Sequence, residues 1–446
     1  MKANYVLVDQ KGASPIYMIP KDIESLIKKD LVPDVLKKPL SPSTYKDYFA
    51  ALLYAEDFYV EKWNDFQLRN VTLQLHEAAI YNKSAKNESA KKDDKIFVAF
   101  KIDSAPAKRP FLLSRDFVFV QRSDGKNKKF QGILYRVVKS TMVLVEFDEE
   151  FYAQHHPDRK YDISFSFNRV SLKRAHQAIS AASSGLFKHY LFPENAIRNS
   201  ISPFISGSAP CVYNNSQLDL NSNSAVHRIL SFKGHPPYLV EGPLCVSSYC
   251  GLKNLSKTGR VVREAVLQIY QRSSSNCRIL ICSPLNSTGD ILMRSLKKHK
   301  FPESVMFRAN AAFREVDGVP DDILPLCAYE GECFSLPSLG ELKQFRVIFS
   351  TFVSSFRLLN HGINAGHFSH IFLVDSSSAT EPETMIPLSS FANENTSVIL
   401  TGAPNDRTRW VRSDIARNNG LRISYFERLR ASNIYSTSNP TFITQL

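Results

Sequence analysis

The chain has 446 residues, with 56 Lys and Arg against 43 Asp and Glu, a formal net charge of +13. That length leaves room for two or three domains with real cores, and no run approaches the roughly 18 uninterrupted apolar residues of a bilayer span, so a membrane partner is not expected. Seven scattered cysteines, an odd number, make no disulfide framework and point to reducing surroundings, while the positive balance points to a polyanionic partner.

In chain order, residues 1–40 read as a tail. Residues 44–66 carry Tyr45, Tyr48, Phe49, Leu52, Leu53, Ala55, Phe58, Tyr59 and Trp63 at three-and-four spacing behind Ser41-Pro42-Ser43-Thr44, which predicts a long amphipathic helix. The polar tract 82–95 predicts a flexible surface loop. Short apolar runs at 96–100, 117–120, 132–138 and 142–147, bounded by turn residues such as Ser123-Asp124-Gly125, predict a small antiparallel β-barrel. A second helix is expected at 172–183, and Pro193, Pro203 and Pro210 amid Ser, Asn and Gly make 193–220 a linker.

From 221 onward the pattern is α/β. Strand-like runs at 238–241, 278–282, 346–350, 370–375 and 397–401 alternate with helix-like segments, including 260–270 and 287–296, and predict a parallel sheet covered on both faces. Ligands of such sheets bind at the carboxyl ends of the strands.

The first strand runs into Glu241-Gly242-Pro243-Leu244-Cys245, and the next helix opens with Ser256-Lys257-Thr258-Gly259. A phosphate-binding loop needs glycine to turn the chain, inward-pointing N–H groups, and Lys-Thr for phosphate and magnesium. Its first glycine stands six positions before the lysine, whereas Gly242 stands fifteen before Lys257, and nine extra residues cannot keep the same cradle. Alone, Lys257-Thr258 also reads as a solvent-facing helix start. The second and third strands end in Ser283 and Asn286, and in Ser350 and Thr351, groups suited to a sugar–phosphate backbone and equally to helix caps. After the fourth strand, Asp375 suits a magnesium shell, but the adjacent Ser376 cannot polarise water as a glutamate would. Gly402 is followed by Ala403 and Pro404, with no acid directly behind it. The cysteines lack the paired spacing and histidine partners of zinc sites and read as core or loop thiols.

Together these motifs resemble the superfamily-one RNA helicases that include the plant silencing-defective helicase, Armitage and the Moloney leukaemia virus resistance protein. The resemblance rests on residues 43–49 and 53–63, Phe167-Asn168-Arg169 with Ala175-His176-Gln177-Ala178, Gly402-Ala403-Pro404, and residues 420–429, and it spans about 41–430. It implies an α/β fold: a RecA-like, P-loop-type parallel-sheet domain over 221–446, preceded by a stalk helix region at 41–80, a β-barrel at 81–170 and a second stalk helix at 171–192. It also implies ATP and Mg as cofactors, with Gly242, Lys257, Thr258 and Asp375 as the nucleotide set, Thr258 and Asp375 nearest the metal, and Ser283, Asn286, Ser350 and Thr351 on RNA. RNA and silencing-pathway proteins are the implied partners, and the cytoplasm, including ribonucleoprotein granules, the implied place.

The departures from the family pattern imply lost chemistry. The loop is interrupted over 244–255, its last glycine is Ser256, the catalytic glutamate is Ser376, and the acid of the Gly-Asp-Pro motif is Ala403. The chain stops at Leu446, before a second RecA-like domain would begin, so the expectation is RNA binding with lost or strongly impaired ATPase and unwinding activity. Two alternatives stand beside it: a fragment of an active ATP-dependent helicase, and a protein-interaction scaffold that does not bind RNA.

Overall fold

The structure, a computed structural model, describes residues 17–446 except 62, 64, 82–91, 106–109, 111, 113–115, 126–127, 139–140, 167–168, 195–217, 250–251, 273–276, 313, 315, 331–332, 407 and 436–440. The chain forms two compact units: one of residues 55–171 with 315–318, the other of the residues up to 54, 172–314 and 319–446. Helix α1 (Tyr45–Glu61) runs from one into the other. Ser41 starts it, its carbonyl accepting the N–H of Tyr45 at 2.9 Å. Five residues short of the predicted end the helix gives way to a turn, in which the N–H of Phe66 donates to the carbonyl of Trp63 at 3.0 Å.

The first unit is a seven-stranded antiparallel sheet of β1 (Gln67–Thr72), β2 (Gln74–Tyr81), β3 (Lys92–Lys101), β4 (Phe117–Arg122), β5 (Phe130–Val138), β6 (Met142–Glu146) and β7 (Lys160–Ser166), in the order β1-β7-β4-β5-β6-β3-β2. Its two edge strands are consecutive in the chain and joined by Leu73 alone, so the sheet has to curl back on itself as a barrel. Leu73, Val98, Val118, Leu134, Val143, Val145 and Ile163 fill its interior, each at most 1% exposed. A cluster this apolar supplies the unit's main driving force for folding.

Residues 67–80, grouped with the stalk on sequence, are strands. The reason they escape a period-two reading is a register shift between Leu68 and Val71, where Asn70 adopts a positive φ of 55° and breaks the alternation. Of the predicted surface loop at 82–95, residues 82–91 lie outside the described residues, while Lys92–Lys95 already belong to β3 and pair with Ala78–Tyr81. Backbone pairing carries the ladder into a polar stretch that side-chain pattern alone assigns to a loop.

The second unit is built on a parallel sheet of β8 (Tyr238–Glu241), β11 (Ile279–Ser283), β12 (Met306–Arg308), β15 (Val347–Thr351), β16 (His370–Leu373), β17 (Ser397–Gly402) and β18 (Ile443–Gln445), ordered β12-β15-β11-β16-β17-β8-β18. Two small hairpins stand beside it, β9 (Val246–Tyr249) with β10 (Leu252–Leu255), and β13 (Ala328–Glu330) with β14 (Cys333–Ser335). All five predicted strands are present, and the short edge strands β12 and β18 are additional. Leu239, Leu280, Ile348, Ile371 and Leu400 are 0% exposed, as runs buried on both faces must be. Its helices include α2 (Val170–Ala181), α3 (Leu220–Ser231), α4 (Lys257–Arg272), α5 (Asn286–Lys298), α6 (Glu381–Phe391) and α7 (Tyr425–Arg430). This is the expected α/β architecture, with a RecA-like parallel sheet in one unit and a small barrel in the other. The predicted linker at 193–220 lies largely outside the described residues, and helix α3 begins at its last position. Among the described residues no helix is long and apolar enough to cross a membrane.

Candidate functional site at the ends of the parallel strands

Every residue singled out on sequence sits at the carboxyl end of a parallel strand or at the start of the following helix. Ser283 and Thr351 are register partners at the ends of β11 and β15, and Asn286 opens α5. Gly242 follows β8, Asp375 follows β16 by two residues, and Lys257-Thr258 open α4. In the strand order the two groups stand on neighbouring strands, β11 and β15 for one and β16 for part of the other.

The loop from β8 to α4 differs from the sequence expectation in an informative way. The extra residues do not widen the loop; they form the β9–β10 hairpin, in register from Val246↔Leu255 to Tyr249↔Leu252. Its neck is closed by the N–H of Ser256 donating to the carbonyl of Cys245 at 2.9 Å. The N–H of Cys245 in turn donates to Asp375 Oδ1 at 2.8 Å, and its buried thiol lies 3.6 Å from Thr401 Oγ1. The hydroxyl of Ser256 accepts the N–H of Gly259 at 3.3 Å and so starts α4.

Gly242 and Thr258 are in close approach: a Cβ on Gly242 would stand 2.6 Å from Thr258 Oγ1, so only glycine fits there. Thr258 is fully buried, and its hydroxyl has no partner among the described residues. Lys257 is ion-paired with Asp219 at 2.7 Å, both side chains partly exposed. Asp219 also caps α3 by accepting the N–H of Ser222 at 2.8 Å. The hydrogen bond from Lys257, with those from Ser222, holds the Asp219 carboxyl down at about 2. Sequence reasoning found the lysine and missed Asp219; an aspartate before a helix signals a cap but not its second partner.

Asp375 is 4% exposed, with a positive φ of 53°. Burial pushes its carboxyl up to about 6, against hydrogen bonds from Cys245 and Thr288 that favour the ionised form, and nearby Asp406 adds to the rise. Ser376, at the position of the family's glutamate, donates to the carbonyl of Thr401 at 3.0 Å. Ser377 donates to Asp406 Oδ2 at 2.9 Å, and Ser378 to the same oxygen. Burial raises the Asp406 carboxyl, but these hydrogen bonds and those from Thr408 outweigh it and leave the group below its ordinary value. The N–H of Ala403 donates to Ser377 Oγ at 3.0 Å. This serine–aspartate network, which sequence reasoning did not foresee, fills the turn after β16 with internal hydrogen bonds.

The candidate nucleic-acid contacts divide. Ser283 and Ser350 are 0% exposed, donating to the carbonyls of Leu285 at 2.8 Å and Ala309 at 3.2 Å, which is the turn-and-cap role. Thr351 and Asn286 are half-buried; Thr351 Oγ1 lies 2.6 Å from Ser354 Oγ, and Asn286 Oδ1 accepts from Arg308 Nη2 at 3.0 Å. Arg308, fully buried, is anchored by Asp290 at 2.9 Å, and Arg314 shares that carboxylate.

Comparison with known proteins agrees with both units. Residues 81–165, most of the barrel, match the family model described as Helicase MOV-10, beta-barrel domain. The chain is 27% identical over 434 residues to a putative helicase MOV-10 of Gallus gallus, covering 92% of this chain and 42% of that protein. It is 25% identical over 495 residues to the RNA helicase Mov10l1 of Homo sapiens, covering 96% and 38%. With the probable RNA helicase armi of Drosophila melanogaster it shares 25% identity over 454 residues, covering 92% and 36%. The chain thus spans about two fifths of the length of the curated relatives it matches. A barrel matched by that family's own model, ahead of a parallel-sheet unit that aligns with the same helicases, makes the chain similar over most of its length to the MOV-10 and Armitage-type RNA helicases.

Proposed function

We propose that this protein is an RNA-binding member of that family that acts in RNA-mediated gene silencing with its ATPase and unwinding activity lost or strongly impaired. The observation that carries this reading is the state of the phosphate loop. A triphosphate with magnesium requires free N–H groups converging from the loop and a lysine facing the phosphates. Here the N–H of Cys245 is given to Asp375, that of Ser256 to Cys245, and Lys257 is held by Asp219. The hydroxyl of Thr258, without a partner among the described residues, keeps the form such a group needs. As folded, the loop does not fit ATP with magnesium, and Ser376 supplies no general base.

RNA binding is supported by the net charge of +13 and by the partly exposed Asn286 and Thr351 at adjoining strand ends. Backbone contacts of this kind carry affinity without base specificity, and that affinity falls steeply with salt through counterion release. The same reading has the protein work in the cytoplasm, in ribonucleoprotein granules, beside silencing-pathway proteins. The test is fluorescence-anisotropy titration of single-stranded RNA at two salt concentrations, with ATP hydrolysis measured on the same preparation and on Lys257→Ala. Salt-sensitive RNA binding that is indifferent to ATP, without turnover, supports the proposal. Turnover abolished by Lys257→Ala removes the inactive-motor part, and no RNA binding at low salt removes the rest in favour of a protein scaffold.

A further inference from the structure

We infer that strands β9 and β10 form an occluding hairpin, whose neck holds an otherwise recoverable phosphate site shut. This rests on the reading of an impaired nucleotide site and names the cause: a closed neck, not the decay of the remaining residues.

Three observations carry it. The neck is tied to the interior and closed on itself: Cys245 gives its N–H to Asp375 at 2.8 Å, and its carbonyl takes the N–H of Ser256 at 2.9 Å. Ser256 stands at the position of the loop's last glycine and Cys245 within the loop, so N–H groups that would face a phosphate are spent inside the protein. The second observation is Gly259, in the first turn of α4. A Cβ there would stand 2.3 Å from the carbonyl oxygen of Cys245 and 2.9 Å from Leu255 Cδ2. Glycine weakens a helix, yet it is the residue that lets this neck lie against α4, so helix and hairpin are fitted to one another. An interruption introduced at random would not bring its own matching glycine in the helix beyond it.

The third observation is what remains behind the neck. Gly242 still lies against Thr258 at a distance that excludes any side chain, and the buried Thr258 hydroxyl has no partner among the described residues. Lys257 is held by a partly exposed ion pair, a type of contact that contributes little and yields to a phosphate. Removing nine residues restores the six-position spacing from Gly242 to Lys257 that the cradle requires.

The experiment compares the full chain with a variant lacking 246–254 and otherwise unchanged, titrating each with a fluorescent ATP analogue and Mg²⁺. The variant is expected to bind at least about tenfold more tightly than the parent, with the gain abolished by Lys257→Ala. Equal affinity of parent and variant, with both folded by circular dichroism, overturns the inference. Hydrogen exchange on the unmodified chain is independent of the variant's folding: slow exchange at Cys245 and Ser256 is expected, and fast exchange at both overturns it. RNA anisotropy on the same samples keeps the two readings apart. Undiminished RNA binding with no gain in nucleotide affinity defeats the plug alone, whereas ATP turnover by the parent chain defeats the inactive-motor reading beneath it.

Discussion

Tyr45 donates its phenolic proton to Glu381 Oε1 at 2.7 Å, across 336 positions of chain, and Arg428 grips both oxygens of the same carboxylate from Nε and Nη2, each at 2.7 Å. Glu381 is 1% exposed. Arg428 also donates to the carbonyl of Leu191 at 2.8 Å, and Tyr425 to that of Tyr190 at 2.8 Å. One buried carboxylate therefore binds the start of α1, residues 190–191, α6 and α7 into a single unit.

The consequence is graded. Tyr45→Phe removes one hydrogen bond to a charged acceptor and is expected to cost about 1.5–3 kcal/mol. Glu381→Ala leaves Arg428 buried without its counter-ion and is expected to cost about 3–5 kcal/mol. Urea denaturation of the three proteins checks the order. A Glu381→Ala loss no larger than that of Tyr45→Phe would show that the guanidinium finds water or another acceptor.

Asp290 is the second such centre. It carries Arg308 at 2.9 Å and Arg314 beside it, and a further Arg308 contact, 3.0 Å to Asn286 Oδ1, aims that side chain at the start of α5. Asp290→Ala strands two largely buried cations, so a loss of about 3–5 kcal/mol is expected. Arg308→Lys cannot reproduce the planar fork and is expected to free Asn286. Weaker RNA binding in Arg308→Lys, at a melting temperature close to the parent's, would link this buried cluster to the proposed nucleic-acid surface; unchanged affinity would separate them.

Gly420 shows how a motif glycine acts. Its φ is +101°, and a Cβ there would stand 2.7 Å from the hydroxyl of Tyr48, which itself donates to the carbonyl of Asn419 at 2.6 Å. Gly420→Ala meets both a backbone penalty and a collision, and a loss above about 1 kcal/mol is expected. Adding Tyr48→Phe removes the collision and leaves the backbone strain, so the double variant should recover only part of the loss. Thermal melts decide it, and complete recovery would mean that the left-handed backbone carries no strain here.

Much of the second unit was legible because buried parallel strands write themselves as continuous apolar runs. Ile279–Ser283 and Ser397–Gly402 stand within a residue or so of their predicted places for that reason. The barrel's first strands were not, since the bulge at Asn70 destroys the alternation on which strand reading depends. In the site, residue type placed Lys257, Thr258 and Asp375 at the strand ends, but type does not encode partners. That Lys257 meets Asp219, and that Cys245 gives its N–H to Asp375, follow from a chain path that turns through the hairpin. Ser283 and Ser350 were equally readable as caps or as ligand contacts, and only their burial assigns them to the interior.

Buried titrating groups set the pH dependence, and they pull in opposite directions. Asp375, at about 6 in the fold against 3.8 unfolded, holds a proton that the unfolded chain has already released, so its contribution falls as pH rises through that window. At neutral pH the ionised group costs roughly 3 kcal/mol. His176 and His370 are buried and pushed down to about 4 by desolvation, below the ordinary 6.5. For them the unfolded chain takes the proton first, so their contribution is complete above pH 6.5 and is lost as pH falls towards 4, by up to roughly 3 kcal/mol each. Two histidines outweigh one aspartate, and the unit is expected to weaken on acidification from about pH 6.5 to 4. Asp375→Asn keeps the oxygen that accepts from Cys245 while removing the charge. It should therefore raise stability near neutral pH, have little effect near pH 4, and steepen the decline between them. Urea denaturation at four pH values across that range measures the slopes. A variant whose profile runs parallel to the parent's would show that Asp375 keeps its charge in the folded protein throughout, at no cost that burial imposes.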